Sequence, residues 1–392
     1  MVRRSSGSLS FVAALVVFAV GALVDVRPAV AFGDCYPVLS DQIGRYDALV
    51  LCRIVDGAKA KPVDDDGRYL CETIEIVAGF ETLKKLPGVN VGYRFDVRVN
   101  ADKPDGAVYF SFGYVSFGVL KWERAVPVNK REQEYLRALG KSYENGGERV
   151  EALLPFLDAT EPLIKCDLDV ELVAKIPFND IRTAQPALPV DKLRAWIKDL
   201  DAKKDRDRIF TCLRLLSACG SKHDLPMLES RIFGNADPTR ELNAGVGCYL
   251  MLGGEPAFTA VEKAFFRPQD GKINMSRDAY MAFFGVVFAA KEGPAISRER
   301  LLAFYRPLLD LSRFSDQVVS ELGRLDDWDS TDKIIKISRS GIEDEGEYRL
   351  GGHVWNFLSR SPRPEAKARL EELEKLDLRL TILRGKATPK SK

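Results

Sequence analysis

Apolar positions fall into two regimes along the chain, and the change between them sets the architecture. From Lys204 onward the apolar residues recur at helical spacing. Ile209, Cys212, Leu213, Leu216 and Cys219 stand at i, i+3, i+4, i+7 and i+10, one stripe on one helix face. Gly220 follows where a left-handed C-terminal residue is expected, and Asp224 with Leu225-Pro226 reads as the cap and first turn of the next helix. Leu225, Leu228 and Ile232 form that helix's stripe, and Gly234 ends it. After Asp237-Pro238 the pattern restarts with Leu242, Val246, Tyr249 and Leu250. Gly253-Gly254 breaks it, and Phe258, Val261 and Phe265 make the return face. Pair starts at 204, 238, 276, 312 and 345 give spacings of 34, 38, 36 and 33. Such periods predict stacked helical hairpins of HEAT or armadillo type, each burying its apolar face on its neighbours.

Between Cys35 and about Val128 the period shortens. Ala48–Val55 is a continuous apolar run, and Tyr69–Val77, Val89–Val99 and Ala107–Val119 are rich in β-branched and aromatic residues. Lys59–Gly67, with Pro62 and Asp64-Asp65-Asp66, and Asn100–Gly106, with Pro104, punctuate them. This predicts an antiparallel sheet or barrel of five or six strands. Residues 129–147 are the junction, with a short helix over Arg131–Leu139 that docks on the barrel. Helices follow over Glu148–Leu157, Leu163–Ala174 and Asp191–Leu200.

Residues 1–31 read as a secretory signal. Arg3-Arg4 precede a largely apolar run from Leu9 to Val24, and Ala29-Val30-Ala31 is a small-x-small cleavage site that leaves Phe32 first. The run is shorter than the ~20 residues that span a bilayer comfortably. Membrane attachment therefore enters only if the segment stays uncleaved. The expected location is periplasmic, cell-surface or extracellular. The expected fold class is α+β in two domains: signal 1–31, barrel 32–128, junction 129–147, helical-repeat domain 148–383 and a basic disordered tail 384–392.

Composition narrows the chemistry. The 58 basic and 57 acidic residues leave a net charge of +1, a field too weak to favour nucleic acid. Seven cysteines cannot all pair within one chain, no C-x-x-C occurs, and only His223 and His353 are present, so no zinc site is expected. No phosphate-cradling glycine loop and no G-x-S-x-G elbow is present, so no cofactor or catalytic residue is assigned. His223, within Ser221-Lys-His-Asp224, reads as part of a polar turn, and His353 as a packing residue. Asp64-Asp65-Asp66 lacks the alternation of a calcium loop and reads as a hairpin tip. Asp326-Asp327-Trp328-Asp329 offers carboxylates, but consecutive residues diverge, so a capped turn with a packed Trp is expected instead of glycoside chemistry. Cys52 and Cys71 sit on strands joined by the Asp-rich turn. A disulfide between them, or from either to Cys35, is geometrically open.

The order Cys35, Ala48-Leu-Val-Leu-Cys-Arg-Ile-Val55, Glu72-Thr-Ile-Glu-Ile-Val-Ala-Gly79, a strand near Gly92–Val97 and then Tyr109-Phe110 resembles the netrin-like, OB-type barrel of tissue inhibitors of metalloproteinases. The resemblance covers about 35–127. That family's inhibitory wedge uses an N-terminal Cys-x-Cys, whereas Cys35 is followed by Tyr36-Pro37 and preceded by three mature residues. Leu154-Pro-Phe-Leu157, Leu193-x-x-Trp196-Ile197, Tyr249-Leu-x-Leu-Gly253 and Leu325-Asp-Asp-Trp328 resemble a group of uncharacterised exported bacterial proteins in which such a barrel precedes helical repeats. The functional expectation is an exported, non-enzymatic protein-binding or scaffold protein with its partner along the helical-repeat surface. The alternative is a secreted enzyme or protease inhibitor with a site at the barrel–solenoid junction or the barrel edge.

Overall fold

A computed structural model describes residues 39–376, apart from 58–59, 65–66, 80–82, 84–85, 87–88, 100–105, 118, 143–145, 204–205, 235–240, 270–271, 274–275, 294–295 and 341–347. The signal segment, Cys35 and the basic tail lie outside the described residues. The chain forms an α+β fold with two compact units that divide at Leu188/Pro189. The helices up to 188 therefore belong with the barrel, although the apolar period changes at about 128.

In the first unit, α1 (Leu39–Arg45) precedes β1 (Ala48–Ile54), β2 (Arg68–Ala78), β3 (Arg94–Arg98), β4 (Val108–Ser116), β5 (Val119–Trp122) and β6 (Val126–Val128). The sheet order is β3-β2-β1-β4-β5, all antiparallel, with β6 also on β4. A parallel bridge between Val99 and Ala125, with Ala125 N–H donating to the Arg98 carbonyl (2.8 Å), nearly closes the sheet into a barrel. β1 is central and buried on both faces, which is why it reads as an unbroken apolar run. Val50, Cys52 and Ile54 join the interior cluster with Cys71, Phe95, Val97 and Tyr109.

Helix α2 (Lys130–Ser142) packs on the barrel, as the junction helix was expected to do. Arg137 donates from Nε to both Glu75 carboxylate oxygens (2.9 and 2.8 Å), and a Cβ at Gly140 would come within 2.6 Å of the Val77 carbonyl. Helices α3 (Gly146–Leu153), α4 (Pro162–Val170) and α5 (Phe178–Thr183) complete this unit. Asp167 on α4 is buried and tied from two sides: the Leu39 N–H donates to it (2.6 Å), as does the Tyr135 hydroxyl (2.6 Å). Arg149 and Glu171 form a buried ion pair nearby in the sequence of the same unit.

The second unit is helical except for a short pair of strands, β7 (Pro268–Gln269) and β8 (Lys272–Ile273). Its helices are α6 (Val190–Lys203), α7 (Arg206–Cys219), α8 (Leu225–Phe233), α9 (Leu242–Val261), α10 (Arg277–Glu292), α11 (Arg298–Leu308), α12 (Ser312–Arg324), α13 (Thr331–Ser340), α14 (Tyr348–Arg360) and α15 (Pro364–Leu376). The starts at 206, 242, 277, 312 and 348 follow the expected hairpin starts closely. The α7 stripe of Ile209, Cys212, Leu213 and Leu216 is buried. Gly254 takes φ 64° and ψ −145°, which kinks α9 where Gly253-Gly254 was expected to break it. Phe258, Phe266, Phe283 and Phe314 pack the middle, with ring centroids of Phe266–Phe304 at 4.9 Å and Phe283–Phe314 at 5.0 Å.

Candidate functional sites: two polar turns, a barrel interior and an exposed hairpin

The turn before α8 is built differently from its sequence reading. Gly220 is not left-handed. A Cβ there would lie 2.7 Å from the Leu216 carbonyl and 3.1 Å from Asp224 Oδ2, so glycine is needed for close approach. Ser221, not Asp224, is the cap: its hydroxyl accepts from the His223 N–H (3.3 Å), and Asp224 reaches back to accept from the Ser221 N–H (2.9 Å). Arg194 of α6 clamps the same carboxylate, Nε to Oδ1 at 2.7 Å and Nη2 to Oδ2 at 3.0 Å. These Arg194 hydrogen bonds hold the Asp224 carboxyl below its ordinary range despite burial. His223 is exposed at the surface of this turn.

The turn before α13 repeats the device with other residues. Asp327, 2% exposed, takes hydrogen bonds from Arg306 of α11 and from the Ser330 hydroxyl (2.5 Å). Burial pulls its pKa upward, but Arg306 and Ser330 outweigh that and hold it below the carboxylate range. Asp326 pairs with Arg360 (3.3 Å) and Asp329 with Arg363 (2.6 Å), while Trp328 packs edge-on against Phe357. Arg306 also reaches Asp329 (3.5 Å), so it bridges Asp327 and Asp329, while Asp326 is held by Arg360. His353 on α14 is half-buried, and burial lowers its pKa, with Lys291 pushing the same way and Asp316 opposing. At the Asp-rich hairpin, Asp64 accepts from the Arg68 N–H (3.0 Å), and Asp65 and Asp66 lie outside the described residues.

The barrel interior is arranged otherwise. Thr73 of β2, Cys52 of β1 and Tyr109 of β4 form a row of directly paired positions across three strands. Cys71 pairs with Ile54, so the two cysteines are diagonal neighbours. Diagonal positions stand about 7–8 Å apart, beyond the usual span of a disulfide. Accordingly Cys52 and Cys71 are free thiols, and the neighbouring Cys71 thiol together with burial pushes the Cys52 thiol up. Neither cysteine is bridged, so none of the pairings left open for Cys52 and Cys71 is formed. Cys166, which the sequence reading left out of the pairing, is disulfide-bonded instead, while Cys212, Cys219 and Cys248 are free. Thr73 Oγ1, Tyr109 Oη and Trp122 Nε1 are buried without a hydrogen-bond partner among the described residues. Trp122 stacks on Phe95 (4.2 Å) and also lines an open cleft of about 260 Å³ with Arg68, Asp96, Val97, Arg98, Glu123 and Arg124. Among the described residues no group of three or more His, Cys, Asp and Glu is placed to hold a metal, and no helix is long and apolar enough to cross a membrane.

The β4–β5 hairpin displays what periodicity could not reveal. Phe117 at its tip is 102% exposed, and its φ is 54°. Left-handed backbone costs a residue with a Cβ roughly 1–2 kcal/mol. Val119 beside it is 60% exposed. The Ser116-Phe117-Gly118 sequence is the one cue, since Gly118 reads as the natural owner of the turn. Compared with known proteins, the chain matches no family model, no curated protein and no solved structure.

Proposed function

We propose that this is an exported, non-enzymatic protein that binds a partner protein, with Phe117 as an anchor and the helical unit as an extended docking surface. The observation that carries the reading is Phe117. A large aromatic held fully in solvent, on backbone that glycine would occupy with less strain, adds nothing to folding and suits an apolar pocket on another protein. Protein-binding anchors are enriched in aromatics because they bury much apolar area with few rotamers to freeze. The strand order, with β1 between β2 and β4 and with β3 returning to the β5–β6 end, supports an OB- or netrin-like reading of the barrel. The regular helix starts support stacked repeats of solenoid type. Cleavage after Ala31 would place the mature chain in the periplasm, at the cell surface or outside the cell.

The test is site-specific photo-cross-linking in the exporting host. A cross-linker at position 117 is expected to give one discrete adduct, and one at exposed Lys130 none. Phe117→Asn, which accepts a left-handed φ, is expected to raise stability by about 1 kcal/mol while a Phe117→Trp protein keeps the interaction and Phe117→Asn loses it. Equal adducts from both positions, or full partner recovery by Phe117→Asn, would sink the reading. An intact mass beginning at Phe32 is the expected sign of export, and one that still includes Met1 would count against it.

A further inference from the structure

We propose that the barrel interior is a binding site for a soft monovalent metal ion, held by the paired sulfurs of Cys52 and Cys71. Both side chains belong to the same interior cluster of the barrel, and both residues are fully buried. Their diagonal register makes them neighbours on one face of the sheet, set wider than a disulfide usually spans. That spacing suits an ion seated between two sulfurs. Thiolate sulfur selects soft ions such as Cu(I) over hard ones. A d10 monovalent ion is content with two ligands, so the lack of a third Cys or of a His nearby is no obstacle.

The second observation concerns the groups around the sulfurs. Thr73 and Tyr109 flank Cys52 on either side in the sheet, both are buried, and each has a hydroxyl with no hydrogen-bond partner among the described residues. An unmatched buried hydroxyl is costly, and here two of them flank one cysteine. On binding, each thiol loses its proton to solvent and two sulfur–metal bonds form. The two thiolates and one cation leave one net negative charge in the core. No electron is transferred when the ion arrives as Cu(I). The thiolates then supply acceptors that Thr73 and Tyr109 lack, and hydrogen bonds to charged acceptors are the stronger kind. Trp122 Nε1 is a third unmatched donor of the same interior. Trp122 also lines the open cleft, whose three arginines (Arg68, Arg98, Arg124) outnumber its two carboxylates (Asp96, Glu123). Cys212 and Cys248 serve as an internal control, since they are equally buried but stand on helices of the other unit.

The experiment titrates the full mature chain, without oxygen, with Cu(I) held by the chromogenic chelator bicinchoninate. One equivalent is expected to leave the chelator. Cys52→Ser/Cys71→Ser is expected to abolish that transfer, and Cys212→Ser/Cys248→Ser to leave it unchanged. Tyr109→Phe is expected to weaken binding by about tenfold, the loss of one hydrogen bond to a charged acceptor. X-ray absorption on the Cu(I)-loaded native chain covers the case in which the double variant does not fold; two sulfur ligands and no nitrogen are expected. No transfer to the native chain, transfer that survives in a folded Cys52→Ser/Cys71→Ser protein, or a Cys52–Cys71 disulfide in the purified protein would overturn the proposal.

Discussion

Two of the places where this protein buries polar groups do so in opposite ways. In the turn before α13, every polar atom of Asp327 is matched: Arg306 and Ser330 donate to its carboxylate, and flanking Asp326 and Asp329 have their own arginines. In the barrel, the hydroxyls of Thr73 and Tyr109 and the thiols of Cys52 and Cys71 are buried together, and both hydroxyls lack partners among the described residues. The first arrangement is closed. A carboxylate paired on both oxygens has little left to offer a ligand, so its work is to fix one helix turn against the next. The second is open, and an open set of donors around paired sulfurs is where a ligand would add what the fold omits. Acidic motifs draw the eye in a sequence, yet in this molecule they are the structural parts.

The comparison predicts unequal responses to deletion. Asp327→Ala should cost the most, about 3 kcal/mol, because it strands the Arg306 guanidinium and the Ser330 hydroxyl in a largely buried turn. Arg306 is 44% exposed, so solvent recovers part of the loss and the figure belongs at the low end for a buried pair. Denaturant unfolding of the full chain measures it. A loss under 1 kcal/mol would mean that the turn is not closed in the sense argued here. Asp224→Ala should behave alike, through Arg194 and the Ser221 N–H.

The same turns set an acid limit. Asp224 and Asp327 both have carboxyls held below the ordinary range. A depressed folded pKa contributes stability that is complete above the unfolded value of about 3.9 and is lost as pH falls through the folded value. Stability from these two sites should therefore be level above about pH 5 and decline below about pH 4. In Asp224→Asn/Asp327→Asn that decline should shrink by a measurable fraction. An unchanged acid profile in the double variant would remove the turns as its cause.

What could be read from residues alone follows the same division. Helix starts were legible because Ser, Asp, Pro and Gly punctuate the chain where backbone groups lose their partners. The near-closed antiparallel sheet was legible from β-branched runs. Partners far along the chain were not. Arg306 stands 21 residues before Asp327, and Arg194 30 before Asp224, so neither clamp leaves a local pattern. The register of β1 was illegible for a different reason. Because β1 is buried on both faces, it has no polar–apolar alternation to say which residue faces which. That one ambiguity hid the offset between Cys52 and Cys71, and with it the row of Thr73 and Tyr109. Cys166 could not be assigned a bridge because spacing does not encode connectivity.

The smallest predicted effect is the most discriminating. Tyr109→Phe removes only a hydroxyl, from a residue 1% exposed, and leaves the ring packed among Cys52, Cys71 and the interior cluster. Had that hydroxyl been matched as Asp327 is, its loss would cost about 1 kcal/mol or more. It has no partner among the described residues, so without added metal its removal should be neutral or should stabilise the protein by up to about 1 kcal/mol. Burial already raises the phenol's pKa, so the group is neutral across the accessible pH range and the difference should not vary with pH. The sign then reverses with Cu(I) present. A bound thiolate gives the hydroxyl its acceptor, and Tyr109→Phe should gain less stability from the ion than the native chain does. A variant destabilised by more than 1 kcal/mol without metal would show that the barrel row is as closed as the turn before α13. Stability gains from Cu(I) that match the native chain's would show that the hydroxyl takes no part in the site.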